Sequence, residues 1–104
     1  MLAVCDPPLW ALQGQLDAIA TQSCEDWECI VVDDASTRRE VIEMLRTWLG
    51  ANPTRCHLIE RASNGGIAAA TNDGIDAATG EILTICDHDD VIHPTAIARV
   101  LDHF

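Results

Sequence analysis

Acidic side chains follow two apolar, β-branched stretches of the chain. Residues 87–90 read Asp-His-Asp-Asp directly after "ILTIC", and Asp33 and Asp34 come directly after "CIVV". Two carboxylates about 4 Å apart repel by about 1 kcal/mol even in water, so such a cluster is either a solvated turn or a cation site. The D-x-D spacing of Asp87 and Asp89 suits Mg²⁺ or Mn²⁺, which prefer oxygen ligands and are often held by one or two carboxylates plus substrate phosphates.

Each acidic motif also has a purely structural explanation, and the residues alone do not decide between the two. The D-x-D step can be an acidic turn before a helix that begins near Pro94. Asp33 and Asp34 can orient a base or ribose, or they can be acids at a helix N-terminus, where the helix dipole favours them. The Asn-Gly-Gly run at 64–66 allows a positive φ and close approach of backbone to a ligand, but it is equally a loop-to-helix turn.

Composition and charge restrict the class of protein. The chain has 104 residues, of which 48% are hydrophobic and 22% charged, as in one globular domain. Its 17 acidic residues outnumber six basic ones, and the net charge of −11 argues against direct binding to nucleic acid. No apolar run approaches the ~20 residues of a membrane span and no secretory signal is evident, so we expect a cytoplasmic domain, while the full-length protein could associate with a membrane.

Hydrophobic patterns predict strands that alternate with helices. The predicted strands are "MLAVC", "CIVV", "CHLIE" and "EILTIC". Amphipathic helices are expected over 9–20, from a cap at Ser36 or Thr37 to Gly50, and from the Asn-Gly-Gly turn to about Gly80, with a last helix from Thr95 to Phe104. The cysteines form no C-x-x-C pair and mostly lie in apolar stretches, which indicates reduced thiols packed as small hydrophobes.

Individual packing positions are also predicted. Ser36 or Thr37 can cap the second helix, with Glu40 as a capping-box partner. Arg61 is expected on a solvated surface rather than on a phosphate. The inner face of the third helix should carry Ile67, Ala70, Gly74 and Ala78. The tryptophans expected to act as packing anchors are Trp10, Trp27 and Trp48.

Strand–helix alternation predicts an α/β fold with a mostly parallel sheet of about four strands, flanked by helices. Ligands of such sheets bind beyond the carboxyl ends of the strands. Asp6 follows the first strand, Asp33 and Asp34 follow the second, and Asp87, Asp89 and Asp90 follow the fourth. We therefore expect these carboxylates to form a single acidic rim at one edge of the sheet.

In order and spacing, these motifs resemble the amino-terminal half of family 2 glycosyltransferases. The resemblance is carried by "VVDDAS", the run from "NGG" to "ATGE", and "DHDD", and it covers essentially the whole chain. It implies a Rossmann-like GT-A half-domain over residues 1–104 that binds a nucleotide-sugar through a divalent cation, Mn²⁺ or Mg²⁺. It implies a full enzyme that transfers the sugar to an acceptor hydroxyl with inversion, as in the biosynthesis of cell-surface polysaccharides.

The resemblance assigns roles to the residues that match the family's motifs. Asp87 and Asp89 match the metal-binding D-x-D, with Asp89 as the direct ligand and Asp87 nearer the ribose. The donor is expected to be of the UDP or dTDP type, and the acceptor a glycan or lipid carrier. The residues implied to bind the nucleotide are Asp6, Asp33, Asp34, Asn64, Gly65, Gly66 and Asp87.

The chain departs from the family pattern in a way that bears on function. Family members often carry an arginine where this chain has Thr71, and a proline where it has Ala3. In the family, the acceptor site and the carboxylate general base lie beyond the D-x-D, so we expect this chain to be a truncated part of a longer enzyme, inactive by itself. Two other functions stay open: a non-catalytic interaction domain of the same fold, and a Mg²⁺-dependent receiver-like signalling domain, although the latter needs a lysine that this chain lacks.

Overall fold

Four parallel strands form one sheet in the computed structural model, which describes residues 1–87 and 92–103. The strands are β1 (Leu2–Val4), β2 (Cys29–Asp33), β3 (Cys56–Glu60) and β4 (Cys86–Asp87), and their order across the sheet is β3-β2-β1-β4. All three neighbouring pairs run parallel. The predicted α/β fold with a parallel sheet flanked by helices is confirmed.

Helices cover both faces of this sheet. They are α1 (Leu9–Ala20), α2 (Arg39–Ala51), α3 (Ile67–Ala77) and α4 (Ala96–His103). None of the helices within the described ranges is long and apolar enough to cross a membrane.

The central strand β2 is buried along its whole length, and its side chains alternate between two apolar clusters. Cys29 and Val31 pack with α1 and α2 on one face, whereas Ile30 and Val32 pack with α3 on the other. A strand covered on both faces reads as a continuous apolar run, which is why "CIVV" was recognisable in the sequence. The larger cluster consists of Leu2, Val4, Leu12, Leu16, Ile19, Cys29, Val31, Val41, Leu45 and Cys56.

The strand order reverses between β1 and β4. Strands β1, β2 and β3 follow one another outward from β1, whereas β4 pairs with the other side of β1. This is the order of the dinucleotide-binding type of doubly wound sheet, in which ligands bind at the carboxyl edge where the order reverses. It is not the flavodoxin-like order of receiver domains, in which β1 lies between β2 and β3.

The fourth strand is shorter than the sequence predicts. Of "EILTIC", only Cys86 lies in β4, and the apolar side chains of Ile82, Leu83 and Ile85 are exposed. The reason is the length of the neighbouring strand. Strand β1 pairs with β4 only through Leu2 and Ala3, and the residues before Cys86 add only a bond from the Met1 amino group to the Thr84 carbonyl at 2.8 Å.

Several predicted packing positions are also wrong. Helix α2 begins after Arg38, and no side-chain cap of its own is formed by Ser36 or Thr37. Ile67 is exposed at the start of α3, although Ala70 and Gly74 are buried as expected. Trp10 is exposed on α1 and anchors nothing in the core, because only one side of α1 faces the sheet.

Candidate functional site

The parallel pairing brings the acidic junctions to one edge of the sheet. Asp33, the last residue of β2, is in register with Val4, the last residue of β1. The amide of Asp34 donates to the Val4 carbonyl at 2.7 Å. Asp87 ends β4 in register with Ala3, so its backbone lies at the same edge. The expected convergence therefore holds for the backbone of these residues, whereas Asp89 lies outside the described residues.

Hydrogen bonds to Asp6 connect the loop after β1 to the residues just before α2. Its carboxylate accepts the backbone N–H groups of Thr37 at 3.0 Å and Arg38 at 2.9 Å, and also the Thr37 hydroxyl at 3.0 Å. Its own N–H donates to the Ser36 hydroxyl at 3.0 Å. These backbone donors, Thr37 first, lower the pKa of Asp6 below its ordinary value. Asp6 therefore binds the amides of the two residues that precede α2, and the helix itself has no side-chain cap.

Asp33 closes the loop between β2 and α2. Its side chain is buried and accepts the backbone N–H of Ser36 at 3.1 Å. Its carbonyl accepts the amide of Arg61 at 2.8 Å, which ties the exits of β2 and β3 together. Ala35, in the same loop, has a φ of 57°, an uncommon value for a residue with a side chain. The Asp33 side chain thus stabilises a tight turn at the carboxyl edge.

Asp34 binds the Asn-Gly-Gly loop. One of its carboxylate oxygens accepts the amide of Gly65 at 3.0 Å, and the other accepts the amide of Gly66 at 3.0 Å. The Gly66 amide also donates to the side chain of Asn64 at 3.0 Å. Gly66 has a φ of 87°, which glycine adopts without strain. Two adjacent backbone amides, of the kind that bind anions, are therefore directed at a side chain of the protein itself.

Arg61 supplies the positive charge next to Asp34. Its Nε lies 3.0 Å from an Asp34 carboxylate oxygen, and the side chains are 20% and 5% exposed. The Nε–H has no hydrogen-bond partner, so this contact is an attraction of charges rather than a directed hydrogen bond. Arg61 Nη1 also pairs with Asp73 on α3. The expectation of a solvated Arg61 is therefore wrong, because both partners are distant in sequence.

A small cavity lies beside this network. It has a volume of about 100 Å³ and is lined by Val4, Cys5, Asp34, Ile67 and two alanines. Pockets that enclose drug-sized ligands hold about 300–1,000 Å³, so this cavity can contain only part of a nucleotide. A cavity of about 620 Å³ lies at the opposite, amino edge. Most of its lining is apolar, and Asp6, Asp33 and Asp34 are not part of it, although Glu28 and Glu81 are.

Comparison with models of protein families shows to which family the chain belongs. Residues 11–104 match the model of Glycosyl transferase family 2. The chain belongs to glycosyl transferase family 2. The resemblance seen in the sequence is confirmed by a match over most of its length.

Relatives of this family 2 chain are much longer than the chain itself. It is 34% identical over 92% of its length to the putative colanic acid biosynthesis glycosyl transferase WcaA of Escherichia coli K12, of which it spans 35%. Across eight curated relatives at 30% to 35% identity, the chain spans between 7% and 35% of the relative's length.

Two solved structures share the fold. Staphylococcus aureus TarS matches 97% of the chain with a TM-score of 0.79 at 23% identity, over 18% of its own length. The mannosyltransferase PcManGT of Pyrobaculum calidifontis, solved in complex with GDP-Man and Mn²⁺, matches 85% of the chain with a TM-score of 0.75 at 32% identity, over 26% of its own length. The expected GT-A type of fold is confirmed.

The residues of this family 2 chain suit a hard cation by chemistry. Among residues 1–87 and 92–103, no three histidine, cysteine or acidic side chains form a ready metal cluster. The carboxylates at the edge are oxygen donors, which Mg²⁺ and Mn²⁺ prefer. Those of Asp6 and Asp34 already accept two or more backbone amides each, so both are engaged by donors of the protein itself.

Two buried glutamines, which are not among the predicted site residues, contact the chain just after the D-x-D motif. Gln15 and Gln22 are buried, and both bond to backbone that follows the D-x-D segment. A sequence signal for Gln15 exists, since a polar residue stands between Leu12 and Leu16 in the apolar stripe of α1. Gln22 gives no such signal, because it lies beyond the end of the helix.

Proposed function

We propose that this family 2 domain binds a nucleotide-sugar at the carboxyl edge of its sheet through a divalent cation. The observation that carries the proposal is the reversal of strand order between β1 and β4, the place where sheets of this type bind ligands. Asp6 follows one of these two strands, and Asp87 ends the other. The proposed cation ligands are the D-x-D aspartates that begin at Asp87, and a cation held there would carry the diphosphate.

The nucleoside is proposed to bind beside β1 and the Asn-Gly-Gly loop. The small cavity lined by Asp34 and Val4 supports this proposal. Asp34 holds Gly65 and Gly66 in position, and in this proposal it shapes the pocket as well as contacting the nucleoside. Asp6, Asp33 and Asn64 contribute by fixing the loops around it. Residues proposed to bind or frame the nucleotide are Asp6, Asp33, Asp34, Asn64, Gly65, Gly66 and Asp87.

The cation, Mn²⁺ or Mg²⁺, is proposed to be held by Asp87 and Asp89. A net charge of −11 repels a diphosphate, so a cation at the edge is needed to make binding favourable. When bound, such an ion would neutralise charge on the departing diphosphate. The solved complex of PcManGT with GDP-Man and Mn²⁺ supports this class of cofactor.

The full protein is proposed to transfer the sugar to an acceptor hydroxyl with inversion. The acceptor site and general base are assigned to residues outside this chain, so residues 1–104 alone should bind a donor without turning it over. A glycan or lipid carrier is the proposed acceptor, and the name of the colanic acid relative supports a role in polysaccharide biosynthesis. The family resemblance implies a UDP- or dTDP-sugar as donor, and a GDP-sugar is the donor to compare because PcManGT was solved with one.

Isothermal titration calorimetry tests the proposal. We expect UDP, dTDP or GDP to bind the chain more tightly with Mn²⁺ than with EDTA. Asp89→Asn should weaken the Mn²⁺-dependent affinity about tenfold, or 1.4 kcal/mol. Asp26→Asn, which removes the same charge from an exposed position away from this edge, should change it less than about twofold. Absence of cation-dependent binding, or equal affinities for wild type and Asp89→Asn, would contradict the proposal.

A further inference from the structure

Two buried amides interrupt the apolar packing of the first helix and its C-terminal end. Gln15 is 0% exposed and Gln22 is 7% exposed. Burying an amide without hydrogen bonds costs about 1–3 kcal/mol, whereas an apolar side chain at either position would bury at no such cost. The contacts of these two side chains therefore explain why glutamine is tolerated there.

Gln22 holds the backbone that precedes α4. Its Nε2 donates to the carbonyl of His93 at 2.8 Å and to the carbonyl of Ala18 at 3.0 Å. Its Oε1 accepts the amide of Ile97 at 3.2 Å. One side chain thus connects the end of α1 to two points of the chain more than 70 residues away. The amide of Ser23 adds a bond to the Pro94 carbonyl at 2.8 Å.

Gln15 bonds to the same segment at a position closer to Asp89. Its Oε1 accepts the amide of Ile92 at 3.4 Å, and Ile92 lies three residues after Asp89. On the upstream side, Asp87 is fixed by pairing with Ala3 of β1. The described residues on either side of 88–91 are therefore each bonded to a defined element, Asp87 to β1 and Ile92 to α1.

We infer that Gln15 and Gln22 are positioning residues for the cation site, acting through the backbone that follows Asp89. This inference rests on the proposed function, because it concerns the same D-x-D carboxylates. A carboxylate pair binds a hard cation well only when its oxygens are held in the required geometry, and supporting hydrogen bonds typically change metal affinity 10- to 100-fold. The glutamines supply that support from α1 without touching the cation.

The test compares two substitutions of the same kind in the same region. Gln22→Met keeps a similar side-chain length and removes all three hydrogen bonds. Gln13→Met is the matched control, because Gln13 is exposed on α1 and bonds only to Asp17 among the contacts that the structure gives it. For each protein, the affinity for UDP, dTDP and GDP is measured with Mn²⁺ and with EDTA, below the unfolding temperature. The ratio of the two affinities is the Mn²⁺ enhancement.

Gln22→Met should reduce the Mn²⁺ enhancement about tenfold and leave the affinity in EDTA within about twofold of wild type. Hydrogen exchange should show faster exchange of the Ile97 amide in the same variant. Gln13→Met should change neither quantity. A variant that is merely less stable would not lose affinity selectively in the presence of Mn²⁺.

Normal Mn²⁺ enhancement in Gln22→Met, together with faster exchange at Ile97, would overturn the inference and leave the proposed function intact. Absence of Mn²⁺ enhancement in the wild type would instead overturn both. If Gln22→Met fails to fold, Gln15→Met serves the same test without a change of charge, because it removes the acceptor for the Ile92 amide. It should reduce the enhancement, and an unchanged enhancement would again overturn the inference.

Discussion

Replacing Arg61 with methionine should cost far more stability than the same change at Arg46. Both arginines pair with a carboxylate, at 3.0 Å for Arg61 with Asp34 and 2.8 Å for Arg46 with Glu60. Their surroundings differ, because the first pair has side chains 20% and 5% exposed and the second has 63% and 40%. The comparison therefore isolates the effect of burial on one kind of interaction.

The magnitudes follow from that difference. Removing one partner of a buried ion pair costs about 3–5 kcal/mol, because the remaining charge is left in a poor environment. Arg61 is partly exposed, and the Gly65 and Gly66 amides still stabilise the Asp34 carboxylate, so we expect a loss of about 2–3 kcal/mol. An exposed pair contributes little to stability, so Arg46→Met should change the free energy of unfolding only slightly.

Urea denaturation followed by circular dichroism measures both values, and hydrogen exchange of the Gly65 amide reports on the loop. Arg61→Met should lower the urea midpoint and speed exchange at Gly65, whereas Arg46→Met should change the midpoint little. Added salt should reduce the loss of stability caused by Arg46→Met more than the loss caused by Arg61→Met, since exposed charges are screened more strongly. Equal losses of stability in the two variants would refute the reasoning.

Three further predictions concern the support of the site and the core. Asp6→Asn should destabilise the fold by about 1 kcal/mol near pH 7. Because folding lowers the pKa of Asp6 below 3.8, this stability is fully present above that pH and is lost as the pH falls through the lower folded value. The free energy of unfolding should therefore fall less between pH 6 and pH 2 in the variant than in the wild type. Gly74→Ala should lower the melting temperature because the added Cβ would overlap the buried Met1 side chain, whereas Gly50→Ala, with open space around it, should raise it. The Cys29 thiol, whose pKa burial raises to about 12, should react with a thiol reagent only when urea unfolds the chain.

The strands and their acidic ends could be predicted from the sequence because both depend on local pattern. The bounds of β3, Cys56–Glu60, agree with the prediction, and β2 was recognisable as a buried apolar run. Parallel pairing then requires that residues after the strands meet at one edge. This is why Asp34 and Asp87 were expected at the same edge before any coordinates were considered.

The partners of the side chains could not be predicted, because they depend on contacts between distant segments. Nothing in the sequence indicates that Asp6 binds amides 31 residues away, or that Asp34 accepts Gly65 and Gly66. The length of β4 was also missed, since it is limited by its neighbour β1 and not by its own apolar residues. The role of Asp89 stays a prediction.

The central claim is that a nucleotide and a divalent cation bind together at the carboxyl edge. Amide NMR tests it most directly, by titrating UDP, dTDP and GDP into the chain with and without Mg²⁺. The account predicts joint shifts at Gly65, Gly66 and Asp87 that require both ligands, with little change at Arg55 and Gly80 beside the apolar cavity of the amino edge. Shifts confined to that cavity, or none with any nucleotide, would contradict it.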